Sequence, residues 1–243
     1  MRAIRVHVEQ PLTAGAEISL PAGAGEHLTR VLRLAAGARV LLFNGDGHDY
    51  AAVLLDTARS GARARIEHAQ AAAAAESALA LTLVQSIARG EKMDWILQKA
   101  TELGVARIVP VFTARTEVRL DGGRGDKRLA HWHGVICAAC EQCGRARLPQ
   151  LDAPQPLAHW LAAAAREGSL LMLDPQSSTR VRDLTALSAA QLVIGPEGGL
   201  DAADLLLLHA AGTQGLTLGP RVLRTETAGM AALAMLQSHY GDA

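Results

Sequence analysis

The amino-acid sequence predicts a small β-barrel followed by a larger domain of the α/β class. Up to residue 68, short stretches with strand character follow one another closely, as they do in small barrels. The alanine tract Ala71–Ala75 interrupts this pattern. From Leu79 onward, strand-like stretches alternate with helical ones, which is the pattern of a sheet covered by helices. We therefore expect two domains, at residues 1–72 and 76–243.

The composition is that of a globular chain. Of its 243 residues, 49% are hydrophobic and 20% are charged, which excludes an intrinsically disordered protein. No apolar stretch approaches the roughly 20 residues that a membrane helix needs. Met1–Gln10 is charged and alternating, unlike a signal peptide. With three cysteines and no export signal, we expect a protein of the reducing cytoplasm.

Several short strands and one helix account for the predicted barrel. Asn44–Gly47 reads Asn-Gly-Asp-Gly, a hairpin signal between two of the strands. Apolar residues at helical spacing predict a helix over Glu26–Leu34, which presents Arg30 and Arg33 outward. The predicted strands are Ala3–Val8, Glu17–Leu20, Arg39–Phe43, Tyr50–Leu55 and Ala62–His68.

In the larger domain, helices and strands alternate. Lys92–Leu103 is predicted as an amphipathic helix that ends at Gly104. The polar segment Thr113–Arg128 carries four arginines, and loops of this length are usually functional or disordered. A second helix is predicted over Leu129–Gln142. The strands predicted around these helices are Leu79–Val84, Val105–Val111 and Leu170–Leu173.

Near the C-terminus, one strand–turn–helix design occurs twice. In each copy an apolar run meets Gly-Pro, where both strands should end because proline lacks the N–H and glycine allows positive φ. Asp201 and Thr225 have side chains suited to cap the helices that follow. Parallel strands would place both turns at one edge of the sheet, where α/β proteins bind ligands. The two copies begin Leu192–Ile194 with Gly195–Gly199, and Leu216–Leu218 with Gly219-Pro220.

Charged residues gather at these two turns. Glu197 lies in the first, while Arg221, Arg224 and Glu226 follow the second. Ordinary turns are the alternative, because glycine and proline are common punctuation. Short ordered loops rarely need so many charges, so a binding or catalytic site is the preferred interpretation.

The net charge of zero hides an asymmetry. Residues 85–147 hold 11 Lys and Arg against 7 Asp and Glu, whereas residues 148–243 hold 5 against 9. A basic segment within a neutral chain indicates a local anionic partner. A solvated helix face is the alternative.

Three cysteines, at 137, 140 and 143, suggest a redox or iron–sulfur protein as another alternative. A cluster usually needs four thiolates, and the chain has no fourth cysteine. Cysteine also packs well as a small hydrophobic residue. The nine histidines show no metal-binding spacing, and no Gly-x-Gly-x-x-Gly, Walker or Gly-x-Ser-x-Gly motif occurs. We therefore expect no metal and interpret the cysteines as packing residues.

Four segments together resemble one family closely. They are Lys92–Val105, Glu141–Arg145, Ile194–Gly199 and Leu218–Ala228. In this order they resemble the RsmE family, bacterial methyltransferases of the SPOUT (α/β-knot) superfamily that methylate N3 of a uridine in small-subunit 16S ribosomal RNA. The resemblance covers nearly the whole chain. One departure is Cys143, where a serine or another small residue is expected.

The resemblance implies a fold, a cofactor and an assembly. The fold is a C-terminal SPOUT α/β trefoil-knot domain preceded by a PUA-like β-barrel that binds RNA. The methyl donor is S-adenosylmethionine, and the family acts as a homodimer on 16S rRNA, without a membrane partner. The cofactor-binding residues it implies are Leu173, Ile194, Gly195, Pro196, Glu197, Gly198, Gly199, Leu216, Leu218, Gly219, Leu223, Arg224 and Thr225.

Methylation of the uracil imide suggests catalytic roles. The enzyme must expose the base and favour loss of the N3 proton. We expect Arg221 or Arg224 to stabilise charge on the uracil carbonyl oxygens. Glu197 or Glu226 would orient that arginine or accept the proton, with a helix-terminal structural role as the alternative for Glu226.

Basic residues are expected to hold the RNA through its phosphates, which makes binding depend on salt. A non-catalytic RNA-binding factor with a degenerate donor site is the alternative, and the intact glycine-rich turns argue against it. The expected RNA-binding residues are Arg30, Arg33, Arg89, Lys92, Lys99, Arg115, Arg119, Arg124, Arg145 and Arg147.

Overall fold

The computed structural model describes residues 3–26, 28, 32–58, 61–118, 123–163 and 167–243 of the chain. The chain divides into two compact units. Unit 1 comprises Met1–Glu76 together with Cys137–Leu148, and unit 2 comprises Ser77–Ile136 together with Pro149–Ala243.

Unit 1 contains a five-stranded sheet in the order β1-β3-β4-β5-β2. The hairpin predicted at Asn44–Gly47 is confirmed, because it joins β3 and β4 as antiparallel neighbours. Alternate residues of the long strands, such as Leu54 and Ile66, are buried in a common core. The elements are β1 (Arg5–His7), β2 (Glu17–Ser19), α1 (Ala22–Glu26), β3 (Arg39–Phe43), β4 (His48–Ala58) and β5 (Gly61–Ala71).

The helix predicted over Glu26–Leu34 does not reach Leu34. Arg33 has a φ of 53°, in the left-handed region that ends a helix. The N–H of Leu34 donates to the carbonyl of Leu28 at 2.9 Å, so the chain turns here. The rest of this predicted helix falls on residues 27 and 29–31, which lie outside the described residues.

A buried polar network holds the segment 137–148 within unit 1. The Arg5 guanidinium donates to Asp49 Oδ1 at 2.6 Å and to the carbonyls of Cys140 and Arg145. Arg145 in turn pairs with Glu76 at 2.6 Å. A buried charge is costly unless it is paired and hydrogen-bonded. These partners therefore make burial of Arg5 tolerable.

Unit 2 contains a parallel sheet in the order β12-β10-β11-β6-β7-β8, with β9 paired to β7. Helix α3 begins in unit 2, and its end from Cys137 belongs to unit 1. The strands are β6 (Ala80–Ser86), β7 (Arg107–Phe112), β8 (Gln150–Leu151), β9 (Gln155–Pro156), β10 (Ser169–Leu173), β11 (Ala189–Ile194) and β12 (Gln214–Leu216). The helices are α2 (Glu91–Glu102), α3 (Gly123–Cys143), α4 (Leu157–Ala163), α5 (Ala202–Ala210) and α6 (Thr225–Tyr240), with a 3₁₀ turn at Val181–Asp183.

Apolar side chains of the central strands place helices on the sheet. Val84, Val109 and Val193 of neighbouring strands are fully buried in one cluster with Trp160 of α4 and Leu208 of α5. Strands buried in this way read as continuous apolar runs. The α/β prediction for this part of the chain is confirmed, while the trefoil knot stays a prediction.

The predicted ends of the two C-terminal copies are partly confirmed. Strand β11 ends at Ile194, directly before Gly195-Pro196 as predicted, and Asp201 caps α5 by accepting a hydrogen bond from the Asp204 N–H. The other copy is corrected. Strand β12 ends at Leu216, and Arg224 rather than Thr225 is the N-cap of α6.

Physical reasons for both corrections are visible. The N–H of Thr217 donates to the Thr179 carbonyl at 2.8 Å, so the chain leaves the sheet before Leu218. The Thr225 hydroxyl donates to the Gly195 carbonyl instead of capping its own helix.

Among the described residues, no helix combines the length and the apolar character that a membrane crossing requires.

Candidate functional site

A cleft of about 790 Å³ opens where strands β10, β11 and β12 end. Three loops form its walls: the loop after Leu173, the loop Gly195–Gly199, and the segment 216–225. This is the edge of the sheet at which the sequence places a site. Every residue that the resemblance implies for the cofactor lines the cleft.

The loop Gly195–Gly199 makes a tight return. The Gly199 N–H donates to the Pro196 carbonyl at 2.9 Å, and Gly199 has a φ of 72°, which favours glycine. A Cβ atom on Gly195 would lie 3.2 Å from the Leu200 nitrogen. Glycine at 195 therefore lets the loop fold back closely on itself.

Glu197 is held by the start of helix α2. Its Oε1 accepts a hydrogen bond from the Arg89 N–H at 3.1 Å and lies 3.4 Å from Lys92 Nζ. Burial by itself raises the pKa of the Glu197 carboxyl, but the N–H groups of Arg89 and Glu197 and the Lys92 ammonium outweigh it. The pKa of Glu197 consequently lies below its ordinary value, and the side chain is a carboxylate at neutral pH.

Glu226 shares the same lysine. Its Oε2 lies 3.4 Å from Lys92 Nζ. This oxygen is buried and has no hydrogen-bond partner among the described residues. Glu226 does not itself line the cleft, whereas Lys92 does. One ammonium group thus bridges two carboxylates beside the cleft.

Arg221 and Arg224 line the cleft and are exposed. Among the ion pairs of the described residues, none joins either arginine to a carboxylate. The expectation that Glu197 or Glu226 orients one of these arginines is therefore corrected, because both carboxylates bind Lys92. Val222, between the two arginines, is 83% exposed. The loop thus presents two cations and an apolar side chain to solvent.

Sequence reasoning missed Gln85. This fully buried residue lies one position before the end of β6 and donates from Nε2 to Thr225 Oγ1 at 3.0 Å. The Thr225 hydroxyl then donates to the Gly195 carbonyl at 2.7 Å. A polar residue at the carboxyl end of an apolar parallel strand was the signal that could have identified it.

Several cations expected to bind RNA have partners within unit 2. Arg89 pairs with Glu117 at 2.8 Å. Lys99 pairs with Glu102 at 2.8 Å. Arg115 donates to the Gly198 carbonyl at 2.7 Å. Together with Lys92, two of these cations, Arg89 and Arg115, contact the loop that borders the cleft.

The remaining RNA candidates differ in exposure. Arg33 and Arg147 of unit 1 are exposed. Arg145 is 5% exposed and paired with Glu76, so its guanidinium cannot reach a phosphate, and we withdraw it. Arg30, Arg119 and the side chain of Arg124 lie outside the described residues.

The cysteine run lies at the end of α3, within unit 1. Burial raises the pKa of the Cys137 and Cys140 thiols to about 12, so both are protonated at neutral pH. Cys137 Sγ lies 3.4 Å from His7 Nδ1. Among the described residues, no group of His, Cys, Asp and Glu is arranged to hold a metal ion. These contacts are those of packed thiols.

Comparison with known proteins identifies related sequences over both parts of the chain. Residues 75–237 match the family described as RNA methyltransferase domain. Residues 20–67 match the family described as RNA methyltransferase PUA domain.

Three relatives match this chain over nearly its whole length. A putative methyltransferase from Legionella pneumophila, solved with bound S-adenosylmethionine, is 37% identical, with a TM-score of 0.94 and complete coverage of both chains. Ribosomal RNA small subunit methyltransferase E from Neisseria gonorrhoeae, also solved with S-adenosylmethionine, is 36% identical over 99% of each chain, with a TM-score of 0.92. The enzyme of the same name from Mycobacterium bovis is 31% identical over 96% of this chain and 90% of its own.

Proposed function

This chain belongs to the ribosomal RNA small subunit methyltransferase E family of RNA methyltransferases, and we propose that it methylates 16S rRNA with S-adenosylmethionine as the donor. The observation that carries this proposal is the cleft at the ends of β10, β11 and β12, which is lined by the loops expected to hold the donor. The finer assignment, methylation of N3 of one uridine, is part of the proposal.

The residues of the cleft fit this donor. A volume of about 790 Å³ lies within the range of small-molecule sites. Leu173, Ile194, Leu218 and Leu223 offer apolar walls to an adenine ring, and the glycine-rich loop lets backbone groups approach polar atoms. When bound, S-adenosylmethionine supplies an electrophilic methyl group on a sulfonium centre. The Glu197 carboxylate would favour a cation in the cleft.

Arginine side chains at the cleft would receive the uracil. Loss of the N3 proton places negative charge on the neighbouring carbonyl oxygens. Arg221 and Arg224 are exposed at the cleft and present guanidinium N–H donors there. We assign them to these oxygens, where fixed cationic donors stabilise charge as it develops.

Glu226 is the better candidate for the proton acceptor. Glu197 has a lowered pKa and several donors already bound to it, so it is a weak base. Glu226 Oε2 lacks a hydrogen-bond partner among the described residues and faces Lys92, which lines the cleft. Lys92 could therefore pass one proton to Glu226 while it receives the imide proton from the uracil.

We propose that basic residues hold the RNA through its phosphates. Arg33 and Arg147 in unit 1 are exposed. Residues 1–72 would act as an RNA-binding domain and residues 76–243 as the methyltransferase domain. We propose that the protein works as a homodimer on the small ribosomal subunit in the cytoplasm. Light scattering of the purified protein tests the homodimer directly.

Two measurements in sequence test the proposed function. Calorimetric titration with S-adenosylmethionine should show saturable binding. Transfer of labelled methyl groups to small subunits that lack the modification should then follow, with the label mapped to N3 of one uridine. Label on another atom would refute the N3 assignment alone. Absence of donor binding in folded protein would instead favour a non-catalytic RNA-binding protein.

A further inference from the structure

We propose that Gln85 is a positioning residue for the donor cleft and acts through Thr225 on the carbonyl of Gly195. Gln85 does not line the cleft, while Thr225 and Gly195 do. The importance of this arrangement for methyl transfer rests on the proposed function, because the cleft must be the donor site. The arrangement itself can be tested without a donor.

The orientation of the Gln85 amide is determined by its neighbours. Its Nε2 lies 2.8 Å from the Ser86 carbonyl and 3.0 Å from Thr225 Oγ1. A carbonyl oxygen can only accept, so the nitrogen of the amide must face it. The Gln85 side chain is fully buried, and water cannot replace these bonds easily.

The same geometry directs the Thr225 hydroxyl. Because Thr225 Oγ1 accepts a hydrogen bond from Gln85 Nε2, its own O–H points to the Gly195 carbonyl, 2.7 Å away. Two consecutive hydrogen bonds thus join strand β6, the first residue of α6 and the first residue of the loop after β11. Hydrogen bonds in such a buried chain polarise and strengthen one another.

The two hydrogen bonds from Gln85 through Thr225 act on the cleft at Gly195. Its carbonyl orients the peptide group that joins Gly195 to Pro196, and both residues line the cleft. A loop held in its binding geometry before the ligand arrives binds more tightly, because less conformational freedom is lost. We therefore expect the chain from Gln85 to reduce the mobility of the loop and to strengthen donor binding.

Substitutions of similar size separate this role from packing. Gln85→Met removes the amide and Thr225→Val removes the hydroxyl, while Thr225→Ser keeps it. Gln237→Met is a matched control on the same helix as Thr225. Gln237 is 1% exposed and its amide binds the Leu103 carbonyl and Ser77, away from the cleft-lining residues.

The experiment combines amide hydrogen exchange without donor and calorimetric titration with S-adenosylmethionine. In Gln85→Met and Thr225→Val, the peptide that covers residues 192–200 should exchange faster, and donor affinity should fall on the order of tenfold. The double variant Gln85→Met/Thr225→Val should lose no more donor affinity than the weaker-binding single variant, because both residues act through the same series of hydrogen bonds. Thr225→Ser keeps the hydroxyl, so its loop exchange and donor affinity should stay closer to those of the unsubstituted protein than in Thr225→Val. Gln237→Met should leave exchange and affinity unchanged.

Each outcome has one meaning. Unchanged exchange of residues 192–200 in Gln85→Met and Thr225→Val overturns the positioning role, even if thermal stability falls. Faster exchange with unchanged donor affinity also overturns it, since the loop would then be irrelevant to the donor. Faster exchange in protein whose unsubstituted form does not bind the donor leaves Gln85 as a positioning residue and refutes the proposed function.

Discussion

The loop after β11 and the loop after β12 border the same cleft, and their residues are engaged to very different degrees. In the first, Gly195, Glu197 and Gly198 each accept a hydrogen bond from another element. In the second, Thr217 is tied to Thr179, while the stretch from Arg221 to Arg224 carries two exposed arginines and an exposed valine.

This difference suggests a division of work within the cleft. A donor that must be aligned for transfer benefits from a rigid wall, because misplacement by about 1 Å can cost about a hundredfold in rate. An RNA base that has to be exposed and captured benefits from cations that are accessible and unpaired. The first loop is suited to holding the donor in place, and the exposed arginines of the second loop are suited to the substrate.

The largest effect is expected from Arg224, in the exposed stretch Arg221–Arg224 of the second loop. Arg224→Ala should lower the rate of methyl transfer about 10²–10³-fold, because a charge-stabilising donor is lost. Donor affinity should change much less. Arg182→Ala, which removes an exposed arginine paired with Asp183, is the control. Single-turnover transfer near the unsubstituted rate would show that Arg224 takes no part in the mechanism. The catalytic role given to the second loop would then be wrong.

An effect of intermediate size is expected from Lys92, which binds Glu197 of the loop after β11. Lys92→Met should slow transfer on the order of tenfold to a hundredfold, whereas Lys99→Met, on the same helix and paired with Glu102, should slow it much less. Lys92 is one of the groups that lower the pKa of Glu197. Its removal should therefore raise that pKa and move the acidic limb of the pH–rate profile to higher pH. An unmoved limb would contradict this assignment.

The same pKa shift affects stability. A carboxyl whose pKa is lowered by folding stabilises the folded state above its unfolded pKa, and this contribution is lost as the pH falls through the folded pKa. Unfolding by denaturant at a series of acidic pH values should show a smaller pH-dependent loss of stability in Lys92→Met than in the unsubstituted protein.

A smaller effect should distinguish donor contacts from RNA contacts. Arg115 donates to Gly198, so Arg115→Ala should weaken donor binding by a factor of about three to five. Arg147, exposed in unit 1, is the counterpart. Arg147→Ala should lower the salt dependence of RNA binding by about one phosphate contact without changing donor affinity. The reverse pattern in paired titrations would assign Arg115 to the RNA.

The smallest effect should come from Val222, the exposed apolar residue of the second loop. Val222 is 83% exposed, so Val222→Ala should change the free energy of unfolding by less than about 0.5 kcal/mol. A larger loss of free energy of unfolding, measured with denaturant, would mean that Val222 is buried in solution. The second loop would then not be exposed.

Much of the fold could be predicted because its signals are local. The hairpin at Asn44–Gly47, the cap at Asp201 and the end of β11 at Gly195 each depend on a few neighbouring residues. The two predictions that were wrong near the second turn depended on distant partners. Thr225 looked like an N-cap, and its hydroxyl instead binds Gly195, 30 residues away.

The residues near the cleft were named in advance, but which charged side chains bind one another was not predicted. Glu197, Glu226 and the two arginines were grouped correctly near one cleft, but both carboxylates bind Lys92. Lys92 was expected to contact phosphates. Charge type can be read along the chain, whereas the choice of partner depends on which loops the sheet brings together.

The sequence by itself determined the α/β class of the larger part of the chain and the end of β11 at Gly195-Pro196, because apolar periodicity and turn chemistry act over short distances. The residues expected at the cleft came from the family resemblance. The tertiary structure decided which polar groups are engaged. It buried Arg145 against Glu76, drew Arg115 to Gly198 and connected Gln85 to the loop through Thr225. These pairings depend on the desolvation and proximity of residues far apart in the chain, which only the packed fold establishes.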